Sequence, residues 1–178
     1  MYEVYAYPKN STAVTDAGKE IADINNVQDG ISTPNKTTAE AQIGDIITYQ
    51  VPVTAIVPDA GLKKLGITDT MSKGLTFVQA EAEASSDDVS VYTGKSVDEE
   101  NKVPSTNYSV KAVTDDDGIT TLEVYFTDDY LRELNNTPGT RELLFVYDAQ
   151  VKKDAVLGVS GNTNDVYIIY NYTNNPND

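Results

Sequence analysis

Few side chains in this 178-residue chain can do covalent chemistry, because cysteine and histidine are both absent. Their absence removes disulfides, thiolate nucleophiles and Cys-ligated metals, and with them His-dependent serine triads and imidazole-bound zinc. Carboxylates and lysines remain to be weighed. The pairs Asp87-Asp88, Glu99-Glu100 and Asp128-Asp129 would suit glycoside hydrolysis only if two acids converged, and adjacent residues of a strand point to opposite faces. They read as solvated surface. Asp115-Asp116-Asp117-Gly118 suggests calcium, but with Gly118 at the sixth position of an EF-hand loop the first position is Val113 and the twelfth Val124, neither an oxygen donor. It reads as a turn, and no metal or cofactor is expected. The segment that stands out is Val4-Tyr5-Ala6-Tyr7-Pro8-Lys9-Asn10. Its alternation predicts a strand that Pro8 ends, since proline fixes φ and lacks a donor, leaving Lys9 presented outside the ladder.

The rest of the chain is built to hold such residues in β-structure. Twelve tyrosines, many Val, Ile and Thr, and short runs broken by Gly, Asn and Asp predict an all-β domain. Strands are expected at 4–7, 46–57, 75–78, 89–92, 108–113, 119–126, 143–151 and 166–172, with 10–42 a meandering connection holding at most one short strand. Pro52, inside the clearest strand, implies an edge position or a bulge. The Asp115–Gly118 turn predicts a hairpin. Thr127 as N-cap, acids in the first turn and apolar Tyr130, Leu131 and Leu134 predict one short helix ended by Asn-Asn-Thr-Pro-Gly. The layout is an immunoglobulin-like β-sandwich with one helical crossover. It forms a single domain over 1–178, with 1–14 the incoming strand and motif and 173–178 an exit linker.

Thirteen basic against 28 acidic residues give a net charge of −15. That excludes nucleic acid and anionic lipid as partners, and no apolar run reaches membrane-spanning length. Met1-Tyr2-Glu3-Val4 enters strand-like sequence directly, so the chain reads as a fragment with an added Met.

Tyr7-Pro8-Lys9-Asn10 resembles the pilin motif of backbone pilins of Gram-positive, sortase-assembled pili, whose lysine is joined to the C-terminus of the next subunit. Two further blocks are similar to the isopeptide-forming middle domain (CnaA-type) of these subunits: Ala41–Tyr49 (AQIGDIITY), and Ile67–Phe77 (ITDTMSKGLTF). Asn164-Asp165-Val166 and Tyr170–Pro176 resemble that domain's closing strand and exit. Residues 80–107 and 127–163 match least.

The resemblance implies an internal Lys–Asn isopeptide bond promoted by an acid. The lysine maps to Lys19, with Lys36 the rival. The acid maps to Asp69, and the acceptor to Asn164, with Asn171 the weaker candidate. It further implies an extracellular, cell-wall-anchored shaft domain whose partners are neighbouring pilin subunits, joined through Lys9 by a pilin-specific sortase. Such a domain modifies itself once and does not turn over. The alternative is an immunoglobulin-like adhesin domain binding host matrix protein or glycan, which would need an aromatic platform or an exposed apolar patch.

Overall fold

The computed structural model describes residues 4–9, 16–17, 19–25, 39–156 and 158–172. Lys36, Asn10 and the expected exit linker at 173–178 lie outside them. The longest strands owe their position to strict alternation. Ile46–Val57 (β5) buries Ile47, Tyr49, Val51, Val53, Ala55 and Val57 and turns the residues between outward, the period-two pattern of a half-buried sheet. Thr120–Phe126 (β10) does the same with Thr120, Leu122, Val124 and Phe126.

The described strands are, in chain order, Val4–Lys9 (β1), Asp16–Ala17 (β2), Glu20–Asn25 (β3), Ala39–Ala41 (β4), β5, Leu62–Met71 (β6), Leu75–Phe77 (β7), Val89–Thr93 (β8), Tyr108–Thr114 (β9), β10, Gly139–Val151 (β11) and Gly158–Tyr172 (β12). One sheet runs β4-β1-β12-β6-β10-β9. The other runs β2-β5-β11-β7, with β3 also on β5 and β8 also on β11. All described pairings are antiparallel except β1 with β12. The chain is thus an all-β, immunoglobulin-like sandwich. The one α-helix among the described residues, Asp128–Asn135 (α1), is capped by the Thr127 hydroxyl and buries Tyr130, Leu131 and Leu134.

Several expectations need correction. The connection at 10–42 holds three short strands, β2, β3 and β4. β6 was not anticipated, because Lys63, Lys64 and Gly66 interrupt its alternation. Pro8 does not end β1, which continues to Lys9 with Pro8 opposite Asn164 and Lys9 opposite Asp165. Beyond Ala6 the described pairing of β1 is with β12 alone. The acid pairs are not on strands: Asp87-Asp88 and Glu99-Glu100 lie in 3₁₀ turns and Asp128-Asp129 opens α1. In the Asp115 turn the carboxylate accepts from the backbone of Asp117 and Ile119.

Pro52 is explained by a gap. β5 is not an edge strand, since Pro52 pairs with Leu144 of β11. On its other side β2 covers Val53 and Thr54, and β3 resumes at Gln50, so among the described residues Val51 and Pro52 have no ladder partner on that side. Lys19 is the described residue between β2 and β3, and it is buried there.

Gly66 is required by close packing. A Cβ on it would lie 2.1 Å from the Val124 carbonyl oxygen and 2.5 Å from the Tyr125 ring. Gly66→Ala must open the β6–β10 ladder, and is expected to cost about 2 kcal/mol or more, read as a lowered thermal midpoint. An unchanged midpoint would show that the two strands can separate freely.

Candidate functional site

Three of the residues singled out in the sequence meet inside the sandwich. Lys19 enters from the second sheet's side, whereas Asp69 (β6) and Asn164 (β12) sit on the inner face of the first. Val166 stands opposite Asp69 and Asn164 opposite Met71, and all four are buried. Alternation therefore places the acid and the carboxamide on one face of adjacent strands, one step apart along the ladder. The side chains of Lys19 and Asp69 have no solvent exposure.

The polar contacts are few and concentrated. Asp69 Oδ2 accepts from both the Lys19 ammonium and the Tyr147 hydroxyl. Lys19 Nζ also lies 4.5 Å from the ring centroid of Tyr49 and 5.4 Å from that of Tyr147, close enough for both aromatic faces to attract a cation. The two rings are 5.9 Å apart. Four buried polar atoms here have no complete hydrogen bond: Asp69 Oδ1, Tyr49 Oη, and both Nδ2 and Oδ1 of Asn164. The Asn164 carboxamide is nevertheless near enough to influence both tyrosine hydroxyls. The groups are neighbours whose hydrogen bonds are not closed. Orphaned buried polar atoms cost stability wherever they occur, and here they gather around one carboxamide.

The electrostatics move both ionisable partners toward neutrality. Burial lowers the Lys19 pKa to about 8, against the opposing pull of Asp69 and, more weakly, Asp165. Burial likewise raises the Asp69 carboxyl, opposed by Lys19 and by the Tyr147 hydrogen bond. Loss of water disfavours each charged form. A proton can pass from amine to carboxylate, leaving a neutral amine beside a carboxylic acid; the two titrate as a unit. What the cluster can do chemically is present an uncharged nucleophile and an acid to a carboxamide in the buried interior.

Asn171, the weaker acceptor candidate, is exposed on β12 and pairs opposite Lys64, away from this cluster. Tyr49 and Tyr147 were not singled out from the sequence. The signal available for Tyr49 was its inward position in the β5 alternation, since a buried tyrosine hydroxyl needs a partner.

Tyrosines mostly serve the interior. Of the tyrosines whose side chains are described, Tyr49, Tyr92, Tyr108, Tyr130 and Tyr147 are buried, Tyr125, Tyr170 and Tyr172 are half-buried, and Tyr167 is exposed. No group of three acidic residues suited to a metal ion occurs among the described residues, and no helix of the described residues is long and apolar enough to cross a membrane.

The strand order, with a parallel first strand laid on the last, invites comparison with known folds. The pilus backbone protein RrgB of Streptococcus pneumoniae superposes with a TM-score of 0.58 at 18% identity, over 89% of this chain and 31% of that one. The full-length major pilin RrgB of the same organism gives 0.59 at 20% identity, over 91% of this chain and 24% of that one. The fold is that of a backbone pilin domain. A third structure, also of full-length RrgB, agrees at 0.58 and 18% identity, over 89% of this chain and 23% of that one. This pilin-like chain spans less than a third of the length of those proteins. No protein-family model and no curated protein sequence matches it.

Proposed function

We propose that this chain is a shaft domain of a cell-wall-anchored pilus on a Gram-positive bacterium. In this reading it is self-crosslinked by an isopeptide bond between Lys19 and Asn164, and joined to the neighbouring subunit by a sortase through Lys9. The observation that carries the reading is the fully buried Lys19–Asp69 pair against the unsatisfied Asn164 carboxamide, in a fold shared with pilus backbone proteins.

In the internal reaction the neutral Lys19 amine attacks Cγ of Asn164. Asp69, holding the proton taken from the lysine, polarises the carboxamide. The Nζ–Cγ bond forms and the Cγ–Nδ2 bond breaks. Of the two amine hydrogens, one stays on the new amide and the other leaves with Nδ2 as ammonia, so Asp69 ends with the proton it held. Fixed proximity makes the attack unimolecular. The protein consumes its own lysine and asparagine, so there is one event per molecule and no turnover. The bond ties the entry of β3 to β12 and closes nearly the whole domain into one covalent loop. By constraining the unfolded chain, as a long-loop disulfide does, it contributes roughly 4–5 kcal/mol. Unlike a disulfide, it cannot be reduced.

Intact mass under denaturing conditions tests this. The purified protein is expected to be lighter than its sequence by one ammonia. A mass equal to the plain sequence overturns the crosslink.

A further inference from the structure

We infer that the Tyr49 hydroxyl is a catalytic hydrogen-bond donor to the oxygen of Asn164 during internal bond formation. The inference rests on the isopeptide reading above and adds to it a group that stabilises the charge developing on the carboxamide. As Nζ adds to Cγ, the Asn164 Oδ1 takes on negative charge at a site closed to bulk solvent. Such charge is costly in a low-dielectric interior unless donors are already in place.

The neighbours leave one donor uncommitted. Lys19 is the nucleophile. The Tyr147 hydroxyl is engaged by Asp69 Oδ2. Tyr49 is fully buried, its ring lies against the Lys19 amine, and its hydroxyl has no complete hydrogen bond. Asn164 Oδ1, the atom that will carry the charge, is equally unsatisfied, and its carboxamide lies close to the Tyr49 hydroxyl. Catalytic hydrogen bonds are often open before the reaction and close in the transition state. Burial, aided by the charge of Asp69, holds the Tyr49 phenol protonated to well above its ordinary pKa, so it remains a donor throughout the range in which the lysine becomes neutral.

A purely structural Tyr49 predicts the opposite behaviour on substitution. Tyr49→Phe keeps the ring and its packing and removes a hydroxyl that satisfies nothing, so folding should be unharmed. Bond formation should slow by about 10²–10³-fold, the usual effect of losing one oxyanion donor. The rate is read by intact mass over a chase after a short pulse of synthesis, at several pH values. Tyr49→Phe should lower the rate by the same factor at every pH. Tyr147→Phe should instead displace the pH profile, because it removes a hydrogen bond that holds the Asp69 pKa down. Bond formation in Tyr49→Phe at the wild-type rate overturns the inference. A Tyr49→Phe protein that is unfolded, or whose thermal midpoint falls below that of the equally unbonded Asn164→Ala, also overturns it, by assigning the hydroxyl to packing. Wild-type protein that never loses ammonia overturns the isopeptide reading itself, which is a separate outcome.

Discussion

In the intact protein with its cognate sortase, Lys9→Arg is expected to abolish the high-molecular-weight ladder while leaving the fold and the internal bond unchanged. The motif Tyr7-Pro8-Lys9-Asn10 motivates this, as does its place in the fold. β1 lies parallel on β12, and its described ladder ends at Lys9 opposite Asp165, next to the pairing of Pro8 with Asn164. The strand carrying the lysine proposed for intersubunit linkage is thus laid directly on the strand carrying the proposed internal acceptor. Arginine keeps the positive charge but cannot serve as the amine nucleophile, so the variant separates chemistry from electrostatics. Denaturing gels of cell-wall extracts read the result. Undiminished ladders would make Lys9 an ordinary strand terminus and shift weight to the adhesin reading.

The second large effect is expected from Asp69→Ala. The variant should fold, regain the mass of one ammonia, and lose the roughly 4–5 kcal/mol of a long-loop crosslink. It should also lose more than Asn164→Ala does. Both variants lack the bond, but Asn164→Ala keeps the Lys19–Asp69 ion pair, whereas Asp69→Ala strands a buried amine and frees the Tyr147 hydroxyl. Removing one member of a buried pair typically costs a further 3 kcal/mol or so. Chemical unfolding of the two variants side by side measures the difference. Complete bond formation in Asp69→Ala would show that the acid is dispensable, and equal stability would show that the pair contributes nothing without the bond.

The sandwich was legible where alternation is clean. β5 and β10 bury every second residue, and α1 is announced by Thr127 and its two following acids. β6 was not legible, because Lys63, Lys64 and Gly66 break its period and the demand for glycine comes from Val124 and Tyr125, distant in sequence and in tertiary contact. β3 was hidden by its length and by the bulge between Ile21 and Asp23.

The site itself could not be read from periodicity. A lysine and an aspartate on short irregular segments look like solvated surface, and their burial is a property of how the two sheets close. The resemblance supplied Lys19, Asp69 and Asn164, and the fold places these three side by side. It supplied no role for the tyrosines, because tyrosine inside a strand is ordinary core material. Only the unsatisfied Tyr49 hydroxyl beside an unsatisfied carboxamide distinguishes this one.

The central claim is that Lys19 and Asn164 are one covalent unit, and peptide mapping of the purified wild-type protein by tandem mass spectrometry tests it most directly. The expected result is a single branched peptide in which the Lys19 side chain is joined to that of Asn164, short of one ammonia, with neither residue recovered in a linear peptide. Recovery of both residues in separate, unmodified linear peptides would contradict it.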